Sequence, residues 1–547
     1  MQRVRFTLGL LAAVVLVLMS TSPAFGASAF KAATHTPPVL DPGPPPGAQV
    51  LTYRFGPMKI KPGQNLIDVD VQKERPAQDG WIVGFRPGLV YAKDGKSPSV
   101  DAIHLHHAAW VVDFKLTFAA GEEKTNFNAP AGYGWRYTTK QSWFLNHMVH
   151  DLTGSPQEVY ITYTLYFIPD SAPEAAGIKE IHTQWMDVEG PKPYPVFNAL
   201  KGQGVNGRLE YPTMAKDAYK RDGKVRNQWV VDRDATMVAT AGHLHPGGLW
   251  TDLKLTRDGR TVTVFRSRAN YFEPAGATSW DVGMTATGPN WRVAIKKGDI
   301  LSTTATYDTS KASWYEVMGI MVVGITDGPD GGVDPFTGTV DQTGYLTHAR
   351  LPENVEPKRV GRPNPGLRNP LRLRQGPFVD RVVIRNFVYQ QGDLSVPGRK
   401  GLPPAVRQGQ SLTFVNEDNP LTVRFHTITA CRAPCNANAG IRYPLANGRT
   451  VFDSGQLGYG PTMSTIGLFD NGDASVPITP VADTPTAKAN CKDGGPTGLV
   501  TVLAKGCVGS TVWKTPKNLA PGTYSYFCRI HPFMRGAFRV VPRSKKA

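Results

Sequence analysis

Over most of the chain, apolar and polar residues alternate in short runs separated by turn residues, and long helical periods are scarce. Ile67-Asp68-Val69-Asp70-Val71 alternates strictly, and Trp81-Ile82-Val83-Gly84-Phe85 and Val159-Tyr160-Ile161-Thr162-Tyr163-Thr164-Leu165-Tyr166-Phe167 follow the same β-type pattern. A period of two marks strands with one face buried, because successive side chains leave a strand on opposite sides. Glycine (56) and proline (46) are abundant, and turn residues recur about every ten positions, the rhythm of a β-sandwich. Ile300–Tyr307 and Trp314–Val323 read as the last strands of a second set, and Val379–Phe387 opens a third.

The pattern lapses twice. Residues 27–54 are rich in Pro, Gly and Ala and predict an extended arm. Residues 336–376 carry Pro352, Pro357, Pro363, Pro365 and Pro370 among arginines and predict a linker. The expected fold is all-β, with tandem antiparallel sandwiches over 55–195 and 205–335 and a third domain over 377–543. A chain of 547 residues accommodates three such domains at ~150 residues each.

Composition adds a compartment. Arg3 and Arg5 precede an apolar run from Leu8 to Met19 and a small-residue site at Ala24-Phe25-Gly26, so residues 1–26 read as a secretory signal cleaved near Gly26. The run falls short of the ~20 residues that span a bilayer, and no other stretch is a transmembrane candidate. A secreted, periplasmic or cell-surface protein is expected. The net charge of +17 is spread along the chain, with one concentration at Arg350, Lys358, Arg359, Arg362, Arg368, Arg372 and Arg374. Nothing resembles a nucleic-acid module. The excess reads chiefly as a solvated surface, with attraction to anionic cell-surface polymers as the functional alternative.

Three groups of side chains carry candidate chemistry. The first is His104-Leu105-His106-His107, followed by Trp143–Asp151 with His147 and His150. Flat-strand periodicity pairs His104 with His106, whereas a bulge would let neighbouring histidines reach one metal. The second is Gly242-His243-Leu244-His245-Pro246-Gly247-Gly248, whose His-x-His places two rings on one strand face. The third is Tyr526-Phe527-Cys528-Arg529-Ile530-His531-Pro532-Phe533-Met534. Thiolate, imidazole and thioether at this spacing are the donor set of a blue-copper electron-transfer site, which needs one more histidine. His426 supplies it, since no other histidine stands between His348 and His531. All five cysteines lie in the last quarter. With Cys528 as a ligand, Cys431, Cys435, Cys491 and Cys507 remain for two disulfides, with Cys431–Cys435 and Cys491–Cys507 the preferred pairing.

The Cys-x-x-His-x-x-Met loop resembles that of the cupredoxins, in the short form of amicyanin, and implies a Greek-key sandwich holding a type 1 copper through His426, Cys528, His531 and Met534. Residues 55–330 resemble the copper type II, ascorbate-dependent monooxygenases and the related stress-up-regulated nodulin family. That resemblance rests on His106-His107, Val149-His150, His243/His245 and Glu316-Val317-Met318. It implies jelly-roll-type sandwiches, each bringing one copper to facing surfaces. The first copper would be held by His106, His107 and His150, and the second by His243, His245 and Met318, where oxygen activation is expected. The resemblance thus favours His107 over His104. It also implies an external reductant and a small-molecule or peptide substrate. There are departures: positions used by the peptide-amidating members to hold substrate are Ala241 and Val322, and residues 1–430 contain no cysteine. A glycine-extended peptide is therefore not the expected substrate. A non-enzymatic copper-binding or surface stress protein, with sandwiches of purely structural role, is the competing expectation. A multicopper oxidase or nitrite reductase is disfavoured because Arg529 stands where their histidine would follow the cysteine.

Overall fold

The alternating runs form strands that stack into sandwiches, as the period of two requires. The structure is a computed structural model that describes residues 36–61, 66–100, 102–121, 123–151, 155–190, 195–199, 202–212, 220–221, 224–225, 227–272, 281–310, 314–354, 368–385, 388–394, 398–417, 426–432, 450–454, 457, 462–463, 512–528 and 534–543. Among them there is no α-helix; short 3₁₀ turns occur at Pro173–Ala175, Pro352–Asn354 and Arg399–Gly401. No helix among the described residues is long and apolar enough to cross a membrane. The leader expected over 1–26 lies outside them.

The first sandwich packs two sheets. One runs in the order Gln49–Ile60, Gln157–Pro169, Gly80–Tyr91, Tyr133–Tyr137, Lys179–Glu180; the other contains Leu66–Val71, Trp143–Asp151, Ile103–Val112 and Lys115–Gly121. In Gln157–Pro169 every second residue from Val159 to Phe167 is buried, so that strand presents its apolar face inward over its whole length. The core between the sheets is aromatic. Phe85 stacks on Phe118 with ring centres 4.5 Å apart and meets Trp110 edge-on at 4.8 Å. Such offset and edge-to-face pairs suit the ring quadrupoles and add to the burial of large apolar area.

The second sandwich is built on one connected sheet path, His182–Asp187, Gly319–Asp327, Ala235–Leu244, Val282–Thr287, Arg260–Tyr271, Gly248–Arg257, Ile300–Asp308, Arg208–Tyr211. It curls round two apolar clusters, one with Met237, Phe265, Trp291 and Met321, the other with Leu244, Met284, Tyr307 and Trp314. The expected single strand from Trp314 to Val323 is interrupted at Met318, between strands Trp314–Val317 and Gly319–Asp327.

The third sandwich has a four-stranded sheet and a five-stranded sheet containing Ala405–Arg407, Arg535–Val541, Gly522–Phe527, Thr429–Arg432 and Thr450–Asp453. Its core includes Phe414, Tyr526 and Phe538.

The segments read as connections are partly built into the sheets. The first strand begins at Gln49, six residues before the expected domain start. Val39 bridges Leu346, and Gly344–Leu346 pairs with Thr285–Thr287, so the arm and the linker meet on the second sandwich. The linker then reaches the first sandwich, where Lys124 Nζ lies 2.5 Å from Glu353 and Asn354 Oδ1 accepts the Val100 N–H at 3.0 Å. Finally, Thr462–Met463, inside the insertion of the third domain, pairs in parallel with Leu66–Ile67. Residues 37–547 accordingly form one compact unit.

The first two sandwiches face each other across an apolar seam. Ile67 and Met148 from the first pack with Trp185, Val196, Met318 and Ile320 from the second. Beside it, Trp135 Nε1–H donates to Thr183 Oγ1, which donates in turn to the carbonyl of Thr117.

Candidate functional site

The histidines of the first sandwich are set by one irregularity. The Ile103–Val112 strand pairs with Trp143–Asp151, and its register shifts between Leu105 and His107, leaving His106 as an extra residue. A bulge of this kind reverses the alternation beyond it. Ile103 and Leu105 point into the aromatic core before the bulge, and Ala108, Trp110 and Val112 do so after it. The bulge therefore lets both His106 and His107 leave the strand on the side away from that core, 5.8 Å apart between ring centres. The side chain of His104 lies outside the described part; its backbone pairs with His150.

His150 joins them, its ring centre 4.7 Å from that of His106. It shares a parity on its strand with Met148 of the interdomain seam. His147, one step out of phase, goes elsewhere: its Nε2 lies 3.0 Å from Asp70 Oδ2, and its ring is 5.1 Å from that of Phe55. It lines a small cavity of about 140 Å³ with Met58, Asp68 and Val149.

From the second sandwich, His243 and His245 arrive at the end of the Ala235–Leu244 strand with ring centres 5.3 Å apart. Gly247 turns the chain just beyond, at φ +91°, where a Cβ would lie 2.3 Å from the Trp314 ring. The backbone of this turn is held from behind: the His245 N–H donates to Tyr307 Oη at 3.0 Å, and that hydroxyl donates to the Met318 carbonyl at 2.6 Å. Met318 is buried in the seam, whereas Met321 points into the second sandwich core, where it accepts the Thr251 hydroxyl.

The two histidine sets, expected to form separate centres, adjoin. The ring centre of His245 is 4.9 Å from that of His106. His106, His150 and His245 are all buried, at 4%, 8% and 2% exposure. His243 also reaches across: its Nδ1 lies 2.9 Å from Oε1 of Glu123 on the first sandwich. Gly121 makes this approach possible, since a Cβ there would stand 2.6 Å from His243 Cε1. Burial raises the Glu123 carboxyl's affinity for a proton, but the His243 imidazole and the Gly121 amide outweigh it and hold the pKa below its ordinary value. His107 Nε2–H donates to Asn146 Oδ1 at 2.9 Å, and its Nδ1 is buried without a hydrogen-bond partner among the described residues. Burial pushes its pKa down to about 4, so the ring is neutral at pH 7, the form that binds metals. Glu123, Asn146 and Tyr307 were not foreseen. They touch the histidines through single hydrogen bonds and carry no motif of their own.

In the third sandwich, His426, in an isolated bridge to Leu457, and Cys528, just past the Gly522–Phe527 strand, converge with Sγ 3.9 Å from Nδ1. The Thr427 N–H points at the sulfur at 3.3 Å, and the Cys528 N–H donates to the Met534 carbonyl at 3.2 Å. His426, Cys528 and Met534 are fully or almost fully buried, and His426 is fixed by paired backbone bonds to Leu457. His531 lies outside the described residues, as do Cys435, Cys491, Cys507 and the side chain of Cys431. Among the described residues Cys528 is in no disulfide, and no group of three or more His, Cys, Asp or Glu side chains is arranged to hold a metal ion. The donor types nonetheless suit copper: neutral imidazoles bind either oxidation state, and a buried thiol beside imidazole favours Cu(I) and Cu(II) exchange.

Comparison with known proteins adds little. No protein-family model matches the chain, and no curated protein is significantly similar to it. Among solved structures, PNGase F, a glycosylasparaginase from Flavobacterium meningosepticum, matches at 9% identity over 52% of this chain and 98% of its own, with a TM-score of 0.24. Dimeric latent PorU from Porphyromonas gingivalis matches at 10% identity over 68% of this chain and 29% of its own, with a TM-score of 0.14. Vicilin from Corylus avellana (hazelnut) matches at 8% identity, 52% and 80% coverage and a TM-score of 0.11. With TM-scores this low, the likenesses carry no inference about function.

Proposed function

We propose that this chain is an exported copper-binding redox protein whose carboxy-terminal domain is a cupredoxin that carries single electrons. The observation that carries this reading is the buried Cys528 Sγ, 3.9 Å from His426 Nδ1 and facing the Thr427 N–H at 3.3 Å, with Met534 in the same core. Cys528, His426, His531 and Met534 would hold the ion, which would supply a reversible one-electron couple. The protein's own share is to bury the sulfur, donate one backbone hydrogen bond to it and fix His426 through Leu457, so that little moves when the charge changes. The histidines between the sandwiches are a further copper-binding region in this reading. Oxidation of a small molecule with oxygen, using His243, His245 and Met318, is the second reading, favoured by the order of histidine and methionine motifs along the sequence.

The test is Cys528→Ser in the mature protein. Loss of an intense visible absorption from thiolate-to-copper charge transfer, with the far-ultraviolet circular dichroism unchanged, is expected. A wild-type protein loaded with copper that is colourless, or a variant that keeps the colour, overturns the reading.

A further inference from the structure

We propose that the outer face of the sheet around Gly248–Arg257 is a docking surface for an acidic polysaccharide, with Arg208 and Arg268 as its anion-binding groups and Trp250 as the ring that holds them in place. The surface is independent of the copper reading and uses none of the linker arginines.

Alternate residues of this strand divide its two faces. Leu253 and Leu255 enter the second sandwich core, whereas Trp250, Asp252 and Lys254 leave the other side. There three guanidiniums gather round one indole: the Cζ atoms of Arg266, Arg208 and Arg268 lie 4.6, 5.7 and 5.9 Å from the Trp250 ring centre. Arg268 stands opposite Trp250 on the neighbouring strand, Arg266 opposite Asp252, and Arg208 comes from beyond Ile300–Asp308. The indole's negative face attracts such cations. The carboxylates nearby are already engaged. Asp252 takes Arg266 in a two-pronged pair at 2.6 and 2.8 Å, Glu210 takes Lys254 at 2.5 Å, and Asp308, opposite Arg208, accepts the Ser310 N–H and hydroxyl. Arg208 and Arg268 remain exposed with no carboxylate partner among the described residues. Partial burial of its guanidinium, and the Arg266 charge beside it, lower the pKa of Arg268, a penalty that an added anion would relieve. A single exposed ion pair contributes little, so one small anion gains little on a sheet face. A polymer with an anion on each repeat engages several guanidiniums at once, and each contact raises the effective concentration of the next. Planar guanidiniums match carboxylate and sulfate oxygens two at a time, and the expected export places this face among extracellular glycans.

Biolayer interferometry of the full mature chain tests this with immobilised polygalacturonate, dextran sulfate, neutral dextran and double-stranded DNA, at physiological ionic strength. Binding to an acidic glycan and not to neutral dextran is expected. A preference for polygalacturonate assigns carboxylate as the recognised anion, and a preference for dextran sulfate assigns sulfate. Combining Arg208→Ala with Arg268→Ala should weaken that binding about tenfold, since two contacts are lost. Arg372→Ala with Arg374→Ala removes the same charge from the linker and should change it less than about twofold. Arg208→Lys with Arg268→Lys, which keeps the charge but not the planar fork, should fall between wild type and the alanine pair, and it decides the matter should that pair not fold. No binding to either acidic glycan overturns the proposal. So does an equal loss in the linker variant, which would reduce the effect to net charge. DNA bound as tightly as the glycans, with the same loss in the alanine pair, overturns the glycan assignment in favour of a general polyanion face.

Discussion

Replacing Glu123 with alanine tests the cross-sandwich contact most directly. The carboxylate is 3% exposed as a side chain; it takes the His243 Nδ1 contact at 2.9 Å and accepts the Gly121 N–H at 3.2 Å. Hydrogen bonds to an ionised group contribute about 1.5–3 kcal/mol each, and leaving a buried donor unmatched adds to the loss. Against this stands the cost of keeping a carboxylate dry, which the substitution removes. The net loss is roughly 3 kcal/mol, which for a domain of this size lowers Tm by about 6–12 °C. Differential scanning calorimetry at pH 7 measures it. The pH dependence has a fixed sign. Because the folded carboxyl's pKa is held below its ordinary 4.5, its contribution is complete above that value and fades as the pH falls through the folded pKa. The gap between wild type and variant should therefore be constant from pH 7 to about pH 5 and then narrow. Glu123→Gln, which keeps an acceptor for Gly121 but not the charge, should lose about half as much. An unchanged Tm at pH 7, or a gap that does not narrow on acidification, refutes the assignment of Glu123 as a charged tether for His243.

Gly121→Val places a branched side chain where a Cβ alone meets His243 at 2.6 Å, so it should displace that ring and cost about 1–3 kcal/mol, read by urea unfolding. Met321→Leu should cost less than about 1.5 kcal/mol and leave copper content unchanged, because Met321 belongs to the second sandwich core; a lost copper would show that it, not Met318, faces the histidines. His147→Asn should leave any copper bound by the protein in place, since His147 faces Asp70 and not His106 or His150; a loss on metal analysis contradicts that placement.

The strands were legible because their alternation is local. Val159–Phe167 buries every second residue as its pattern requires, and the runs at Trp81, Ile300 and Val379 fall in or overlap strands. The choice between His104 and His107 was not settled by that pattern. A bulge adds one residue without altering composition, so periodicity alone continues the wrong face past His106. The break at Met318 was hidden for a similar reason, since Trp314–Val323, apolar but for Glu316 and Gly319, reads as one run. The proximity of His106 to His245 depends on how two sandwiches dock, which no local pattern encodes. The arm and linker were read as extended connections from their proline-rich composition and lack of periodicity, yet proline is compatible with edge positions, and Pro38 accepts the Leu346 N–H at 2.9 Å.

Thr462 and Met463 cover the backbone edge of Leu66 and Ile67, which would otherwise be open to another chain. An uncovered strand edge templates intermolecular pairing. The carboxy-terminal domain is thus a guard for the amino-terminal one, and the two cannot be parted without consequence. A fragment ending before residue 462 would carry an unsealed sheet and should self-associate, whereas the full chain seals it from within. Edge protection is thus a task of the insertion that the third domain carries.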